Sequence, residues 1–418
     1  MDFMHVVSVD DALSLISKHV VPVSKVSQWH LEDALGYVLA EDITVKEDLP
    51  AFSRSTVDGY ALRAHETVGA SDALPAFFDI AFSVAMGKVP KRPLNPGEAA
   101  EIPTGGMVPE GADAVVMLEH VEVLGNVLNV FRQVAPGENI IQKGEDYAIG
   151  SVALRKGTLL GPAQLALLAG LGENMVPIYQ KPKLAILSTG DEIVPVTTRP
   201  LPLGKVRDMN GYSLSALFKS WGAEVTYAGI IADDFSSYLQ KAQTLLETHD
   251  GLVLSGASSV GQRDWSFEVL KSLPDSTVLF HGLAIRPGKP TMLGISKSKP
   301  ILGLPGHPAS AMVIAHIIGR ELFYSMSGHS FCSPIRVYAR ITRNIASQSG
   351  RTDYVRVRLI DEDGVLWAEP RLGKSGLIYT LAESDGLLRI PEEKEGFLRG
   401  EQAEVILYEG CMSRAMRS

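Results

Sequence analysis

Cysteine is nearly absent from this chain, since Cys332 and Cys411 are its only two among 418 residues. They lie far apart and lack the paired spacing of a zinc site. So few cysteines also exclude the disulfide framework of a small secreted protein. We therefore expect two reduced thiols in a cytosolic protein.

Blocks of basic residues are missing as well. The 39 Lys and Arg residues are outnumbered by 48 Asp and Glu residues, which gives a formal net charge of −9. The chain has no basic stripe with interleaved aromatic residues, so we expect no nucleic-acid partner. The charges are spread along the sequence, which leaves room for local anion-binding pockets.

Neither a signal peptide nor a membrane-spanning segment is recognisable. The opening stretch, MDFMHVVSVDDALSL, has no basic segment followed by an apolar one. The most apolar long segment, residues 301–318, is interrupted by glycines and prolines near its start. We expect a cytoplasmic protein without a membrane partner.

What the chain does have is enough apolar sequence for several cores, with 45% hydrophobic residues and 39 glycines. Its local patterns predict four domains. The predicted domains are a small helical linking domain (residues 1–46 and 147–178), an inserted mainly-β domain (47–146), a doubly wound parallel α/β domain (179–327) and a C-terminal β-barrel-like domain (328–418).

Local signals support this division. Ser8 precedes an apolar-periodic run as a helix cap, and Gly161-Pro162 opens a second helix. Short alternating runs fill residues 51–147, which is typical of β structure. From residue 183 the pattern alternates between strand and helix, which indicates a parallel sheet covered by helices on both faces.

The stretch LSTGDEIV is unusual because a buried strand, residues 184–187, ends in two hydroxyls, a glycine and two adjacent acids. A connecting turn needs the glycine but not the acidic pair. In parallel α/β sheets, ligands bind outside the carboxyl ends of the strands. Asp191 and Glu192 are therefore candidate ligand-binding residues, although first-turn charges favouring a helix dipole would also explain them.

Other predicted strand ends carry similar loops. Residues 255–264 are rich in Ser and Gly and end at Asp264, which alone would be read as a helix cap. Residues 286–290 hold two cations around a proline-glycine turn, and residues 303–308 form a rigid turn before a helix. Backbone donors and cations suit phosphates. Acids beside phosphates would repel them unless a divalent cation lies between, and magnesium is the expected cation. A magnesium-clamped phosphoanhydride is the chemistry that these loops predict.

A set of motifs then matches a known family in order along the chain. The motifs are FSRSTVDGYALR, EIPTGGMVPEGADAVVMLE, GED, LSTGDEIV, SGASSVGQRD, RPGKP and GLPGHPAS. Together they are specific, and the sequence resembles the molybdopterin molybdenumtransferases, the family of MoeA and the gephyrin E-domain. The resemblance covers essentially the whole chain.

The resemblance implies an elongated homodimer that uses magnesium, adenylylated molybdopterin and molybdate. Cleavage of the adenylylated molybdopterin would be coupled to insertion of molybdate, with release of AMP. By resemblance, Glu192 and Asp264 are acids of the nucleotide and metal site, and Asp58 is a third acid that reaches it from a partner subunit. Other cofactor-biosynthesis proteins and molybdoenzyme chaperones are implied as further partners.

The resemblance also implies substrate contacts. Thr104 and Asp146 lie in motifs of the same cleft, and Arg286, Lys289, Pro305 and Pro308 resemble an oxyanion site. Arg356 and Ser375 resemble the molybdate-side contacts of the C-terminal domain. The candidate substrate-binding residues of the first two strand-end loops are Ser188, Thr189, Gly190, Asp191, Ser255, Gly256, Ser259 and Gly261.

Three positions depart from the common family pattern. Ala257 replaces a frequent glycine, His307 stands where asparagine is common, and Arg286 stands where lysine is also used. They leave open whether molybdate or tungstate is preferred. Two other functions also stay open, namely adenylylation of molybdopterin and a scaffold of the gephyrin type, as does an inactive paralogue.

Overall fold

The computed structural model describes residues 6–23, 25–257, 265–330, 333–374 and 376–408. Within these residues, separate hydrophobic clusters form the cores of four regions. No described helix has the length and apolarity that crossing a membrane requires.

The linker region, residues 26–44 and 152–179, is held together by strands from both segments. Its sheet has the order Val26–His30, Met175–Tyr179, Val38–Leu39. A second pair joins Ile43–Thr44 to Val152–Leu154, and the helices are Pro162–Gly170 and the 3-10 turn Leu31–Asp33. The predicted helix beginning at Pro162 is confirmed, and the structure adds strands that the sequence did not predict.

The inserted β region, residues 54–141, contains one six-stranded sheet. Its strand order is Ala114–Met117, Gly59–Leu62, Glu98–Ile102, Ala76–Ser83, Val127–Val130, Val121–Leu124. Arg54–Ser55 pairs with Ile140–Ile141, and Ala64–Thr67 and Leu118–His120 are 3-10 turns. Successive residues of a strand pack into different cores, with Leu62 in one and Ala61 in the other. The predicted mainly-β character is confirmed.

The α/β region, residues 183–327, has a six-stranded sheet. Its order is Glu224–Ile231, Lys183–Thr189, Gly251–Ala257, Lys299–Pro305, Met292–Ser296, Ser276–His281. The first four strands are parallel, whereas Met292–Ser296 runs antiparallel to both neighbours. A short parallel pair, Ile193–Val194 with Val206–Arg207, follows the strand Lys183–Thr189.

Helices cover both faces of this sheet, as predicted. They are Asn210–Ser220, Phe235–Thr248, Trp265–Ser272, Pro308–Ile314 and Arg320–Ser327, with the π-helical segment Ala315–Gly319 between the last two. Leu184 and Ile186 pack into one core while Ala185 and Leu187 pack into the other. Alternation along a doubly covered strand explains why the whole run is apolar.

The first helix, Val9–His19, belongs structurally to the α/β region. Ser8 caps it by accepting a hydrogen bond from the Asp11 amide, as predicted. Ala12 and Ile16 are fully buried in the same core cluster as one face of the α/β sheet. This packing departs from the predicted assignment of residues 1–46 to the linking domain.

The barrel, residues 336–407, is closed by five strands. Its order is Thr352–Glu362, Val365–Pro370, Arg336–Ile341, Gln402–Leu407, Gly386–Ile390, and the last strand pairs with the first. Ile345–Ala346 pairs with Gly396–Phe397, and Tyr379–Ala382 is a short helix. The short strand Ile285–Arg286 of the α/β region also pairs with the barrel strand Thr352–Glu362. Backbone hydrogen bonds therefore join the two regions.

Candidate active site

The carboxyl ends of three parallel strands open into a cleft of about 750 Å³, which we call the strand-end cleft. The strands are Lys183–Thr189, Gly251–Ala257 and Lys299–Pro305. The lining residues are 188–190, 192, 193, 206–210, 233, 255, 256, 290, 305–308 and 376. The predicted Ser188, Thr189, Gly190, Glu192, Ser255, Gly256, Pro305 and Pro308 are among them.

Gly256 lets two loops of the strand-end cleft approach each other. Its φ is +135°, and a Cβ there would lie 2.4 Å from Thr189 Cγ2 and 2.5 Å from the Thr189 carbonyl oxygen. A side chain would therefore push the two strand ends apart. Glycine at this position therefore allows the close spacing of two strand ends that line the cleft.

The two adjacent acids have different surroundings. Asp191 accepts a hydrogen bond from the Asp233 amide at 3.1 Å, and its own carbonyl accepts one from Lys205 Nζ at 2.6 Å. Glu192 is exposed and lines the cleft, and its carbonyl accepts a hydrogen bond from the Val206 amide at 2.9 Å. The Asp191 side chain thus stabilises the loop, while the Glu192 side chain faces the cleft. Neither acid begins a helix, which excludes the helix-dipole interpretation.

Asn210 is a cleft residue that sequence reasoning missed. Its side-chain amide donates to Ser255 Oγ at 2.7 Å and to the Gly306 carbonyl at 2.8 Å. The buried Asn210 Oδ1 and Ser188 Oγ have no hydrogen-bond partner among the described residues. Buried polar atoms rarely stay unpaired, so both are candidates for contact with a ligand or water. Asn210 is the first residue of the helix Asn210–Ser220.

Asp208 and Tyr227 form a hydrogen-bonded pair in the wall of the strand-end cleft. Asp208 accepts from the Tyr227 hydroxyl at 2.7 Å and from the Gly211 amide at 3.0 Å. Burial, followed by the hydrogen bond to Asp208, raises the pKa of Tyr227 above its ordinary value. The Asp208 carboxylate is therefore occupied within the protein.

A second cleft of about 710 Å³ lies between the α/β region and the barrel, and we call it the cationic cleft. Its charged lining residues are Arg286, Lys289, Arg351, Asp353, Arg356, Arg371 and Lys374. The structure brings together the predicted Arg286, Lys289 and Arg356, which come from distant parts of the chain. It adds Arg351, Arg371 and Lys374, which belong to none of the recognised motifs.

Arg356 is the most enclosed cation of the cationic cleft, with an exposed fraction of 8%. Its Nη2 donates to the Gly373 carbonyl at 3.0 Å, whereas its buried Nη1 has no hydrogen-bond partner in the described part of the chain. Burial lowers the pKa of Arg356 from its ordinary value. A buried guanidinium with a free donor is suited to an anion.

Pro290 lines both clefts, so the two are neighbours. The predicted oxyanion residues divide between them. Pro305 and Pro308 line the strand-end cleft, whereas Arg286 and Lys289 line the cationic cleft.

Three predicted site residues, Asp58, Thr104 and Asp146, belong to the inserted β region or its border. Thr104 donates to Asp58 Oδ1 through its amide at 2.7 Å and its hydroxyl at 3.1 Å. Asp146 is exposed, and its amide donates to the Leu49 carbonyl. Among the described residues, neither cleft is lined by any of these three. The described residues also contain no group of three His, Cys, Asp or Glu side chains arranged to hold a metal.

Four predicted site residues lie outside the described residues. They are Ser259, Gly261, Asp264 and Ser375. Their proposed roles stay predictions.

Three family models match this chain along most of its length. Residues 7–172 match the MoeA N-terminal region (domain I and II). Residues 185–324 match a family described as a probable molybdopterin binding domain, and residues 338–408 match the MoeA C-terminal region (domain IV).

Proteins of known name and structure agree with these matches. A molybdopterin molybdenumtransferase of Bacillus subtilis is 33% identical over 391 residues, which are 91% of this chain and 90% of the relative. Two crystal structures of the molybdopterin biosynthesis MoeA protein from Pyrococcus horikoshii are also similar. One has a TM-score of 0.78 at 35% identity and covers 97% of this chain and 100% of its own. The other has a TM-score of 0.82 at 32% identity, with 96% and 100% covered.

Proposed function

Since the chain belongs to the MoeA family, we propose that it inserts molybdate into adenylylated molybdopterin and releases AMP. A transferase role in molybdenum cofactor biosynthesis is supported by a relative named molybdopterin molybdenumtransferase that matches 91% of this chain. We further propose that the substrate is adenylylated molybdopterin, that AMP is released and that magnesium is used.

The observation that carries the proposal is the adjacency of two chemically different clefts. The strand-end cleft has an exposed carboxylate on Glu192, while Lys289 and Arg356 line the cationic cleft beyond Pro290. A nucleotide-linked substrate and a small oxyanion need these two environments side by side. Reaction between two bound partners is accelerated when both are held in position.

Magnesium fits the donors of the strand-end cleft. Asp208 and Asp233 accept hydrogen bonds from Tyr227 and Thr189, whereas the Glu192 carboxylate has no hydrogen-bond partner among the described residues. Magnesium takes one or two protein carboxylates and completes its shell with phosphate oxygens and water. Glu192 would hold it, with Asp264 and a partner's acid as the further ligands that the family resemblance implies. When bound, it would neutralise phosphate charge.

The chain's own groups bind and orient the two substrates. Gly190 and Gly256 let the cleft-lining loops lie close to Glu192 and Thr189, and the Ser188 Oγ and Asn210 Oδ1 atoms, unpaired among the described residues, offer polar contacts. Across Pro290, the cations of the cationic cleft hold molybdate through charge-assisted hydrogen bonds.

We also propose that the active form is a homodimer. Asp58 accepts two hydrogen bonds from Thr104 and is not among the described residues that line the two clefts of its own chain. An acid with a catalytic role at that position would have to reach the cleft of a second copy. A cytoplasmic location and contacts with other cofactor-biosynthesis proteins or molybdoenzyme chaperones belong to the same proposal.

The test uses purified protein with adenylylated molybdopterin, magnesium and molybdate, and follows AMP release together with molybdenum retained on the pterin. We expect AMP release that depends on molybdate and on a divalent cation, with molybdenum left on the product. EDTA should stop the reaction and added magnesium should restore it.

Two results would contradict the proposal. AMP release that is indifferent to molybdate would indicate adenylyl chemistry alone. Tight binding without turnover would favour a carrier or scaffold.

A further inference from the structure

Asp353 is the single acid among the described residues that line the cationic cleft. It is buried, with an exposed fraction of 3%. Its Oδ1 lies 3.0 Å from Arg351 Nε, and its Oδ2 lies 3.7 Å from Arg286 Nη1. One buried carboxylate thus contacts a cation from the barrel and a cation from the α/β region.

Backbone pairing also joins the two regions at Asp353. Ile285 and Arg286 pair in parallel register with Thr352 and Asp353, and the Thr352 amide donates to the Ala284 carbonyl at 2.9 Å. Asp353 therefore lies opposite Arg286 in a strand pairing that joins the α/β region to the barrel.

The loop that follows Arg286 is constrained at a second point. Gly288 has a φ of +110°, and a Cβ there would lie 2.4 Å from the side chain of Ile314. The loop is thus pressed against the helix Pro308–Ile314 at Gly288 and bound to the barrel at Arg286. Lys289, which follows directly, is exposed and has no ion pair among the described residues.

From this geometry we propose that Asp353 is a positioning residue for oxyanion binding. It holds Arg286 and Arg351 at the seam between the two regions, which directs Lys289 and Arg356 toward a common ligand. The inference rests on the proposed function, because it assumes that the cationic cleft receives molybdate.

A positioning role and a simple charge effect predict opposite results. Removing one negative charge from a cluster of cations raises the local positive potential, so charge alone would tighten binding of an oxyanion. Loss of a positioning contact would weaken binding, because the arginines and the Arg286 loop would no longer be held in place. The near-isosteric substitution Asp353→Asn therefore separates the two explanations by the sign of the change.

The experiment measures binding of molybdate alone to the dimeric protein by isothermal titration calorimetry. We expect Asp353→Asn to raise the Kd about tenfold, on the scale of one charge-assisted contact. In turnover assays, the KM for molybdate should rise by a similar factor while kcat at saturating molybdate stays within about twofold. Asp363→Asn makes the same charge change at an exposed barrel hairpin and should leave both values unchanged.

The outcomes distinguish the inference from the function on which it rests. If the wild type binds no molybdate, the proposed function and this inference both fail. If the wild type binds it and Asp353→Asn binds as tightly or more tightly, only this inference fails.

A double variant tests whether Asp353 acts through Arg351, and thermal stability separates a local effect from unfolding. Combining Asp353→Asn with Arg351→Ala should weaken binding less than the product of the two single effects, because both changes break one contact. Full additivity would overturn the positioning role. So would a variant that loses thermal stability but still binds molybdate as the wild type does.

Discussion

The two clefts differ in how they are built. The strand-end cleft is formed largely within the α/β region, where parallel strands bring their carboxyl ends together. The cationic cleft exists only because the barrel packs beside that region. Its charged residues from the α/β region, Arg286 and Lys289, lie about sixty or more positions from those of the barrel. A site within one sheet follows from local sequence pattern, whereas a site between two regions depends on how they pack.

The two clefts also differ in which of their polar groups have no partner among the described residues. The strand-end cleft offers the carboxylate of Glu192 and two buried polar oxygens, which suit a metal and donor groups. The cationic cleft offers a buried guanidinium donor on Arg356 and an exposed ammonium on Lys289, which suit an anion. If the proposed function is correct, nucleotide chemistry and oxyanion binding should be separable by substitutions in one cleft or the other.

The largest effect should come from Glu192→Gln. We expect turnover to fall by about a hundredfold or more, the scale of losing one electrostatic stabiliser, because the uncharged amide holds a cation poorly. Binding of molybdate alone, measured by calorimetry, should stay within about twofold of the wild type. Glu247→Gln, on the exposed side of the helix Phe235–Thr248, is the matched control. A large loss of molybdate binding in Glu192→Gln would break the distinction between the clefts.

Lys289→Ala should produce the converse pattern with a smaller effect. Loss of one charge-assisted contact should weaken molybdate binding about tenfold, as seen by calorimetry and in the KM for molybdate. Binding of AMP, measured separately, should be unaffected. Lys219→Ala on the exposed face of the helix Asn210–Ser220 removes the same charge elsewhere and serves as the control. Unchanged molybdate binding would remove Lys289 from the oxyanion site.

The mildest signal is recovery of activity in mixed dimers. Asp58→Ala and Glu192→Ala should each be inactive alone. Random mixing should restore roughly a quarter of wild-type activity, since half of the dimers are mixed and each has one intact site. The measurement is AMP release after the two variants are unfolded and refolded together. Absence of recovery, with mixed dimers verified by native mass spectrometry, would show that Asp58 does not act across subunits.

The sequence by itself determined much of the strand-end cleft. The apolar run that ends in Ser188, Thr189 and Gly190 predicted a buried strand with polar, cleft-lining residues at its carboxyl end, and both features are present. The prediction succeeded because the carboxyl ends of neighbouring parallel strands meet at one edge. The alternation of strands and helices, the helix at Pro162 and the cap at Ser8 were likewise readable from local pattern.

Local pattern failed where the partner of a residue lies far away in sequence. It gave Asp191 and Glu192 the same role, although a hydrogen bond from the Asp233 amide occupies one of them. It also missed Asn210, whose amide reaches Ser255 and Gly306. Hydrogen-bond partners forty-five and ninety-six positions apart leave no periodic signal in the sequence.

Only the tertiary structure decided the composition of the cationic cleft. The family resemblance made Arg286 and Arg356 candidates, but Asp353 is recognised only when the strand Ile285–Arg286 is seen to pair with the barrel. The reason is that the electrostatic interaction between charged groups depends on their distance in space. The neighbours of Asp353 in sequence do not distinguish it from any other carboxylate in a β-strand. The sequence thus determined which strand ends could bind a ligand, and the packing of the barrel on the α/β region determined where the cations meet.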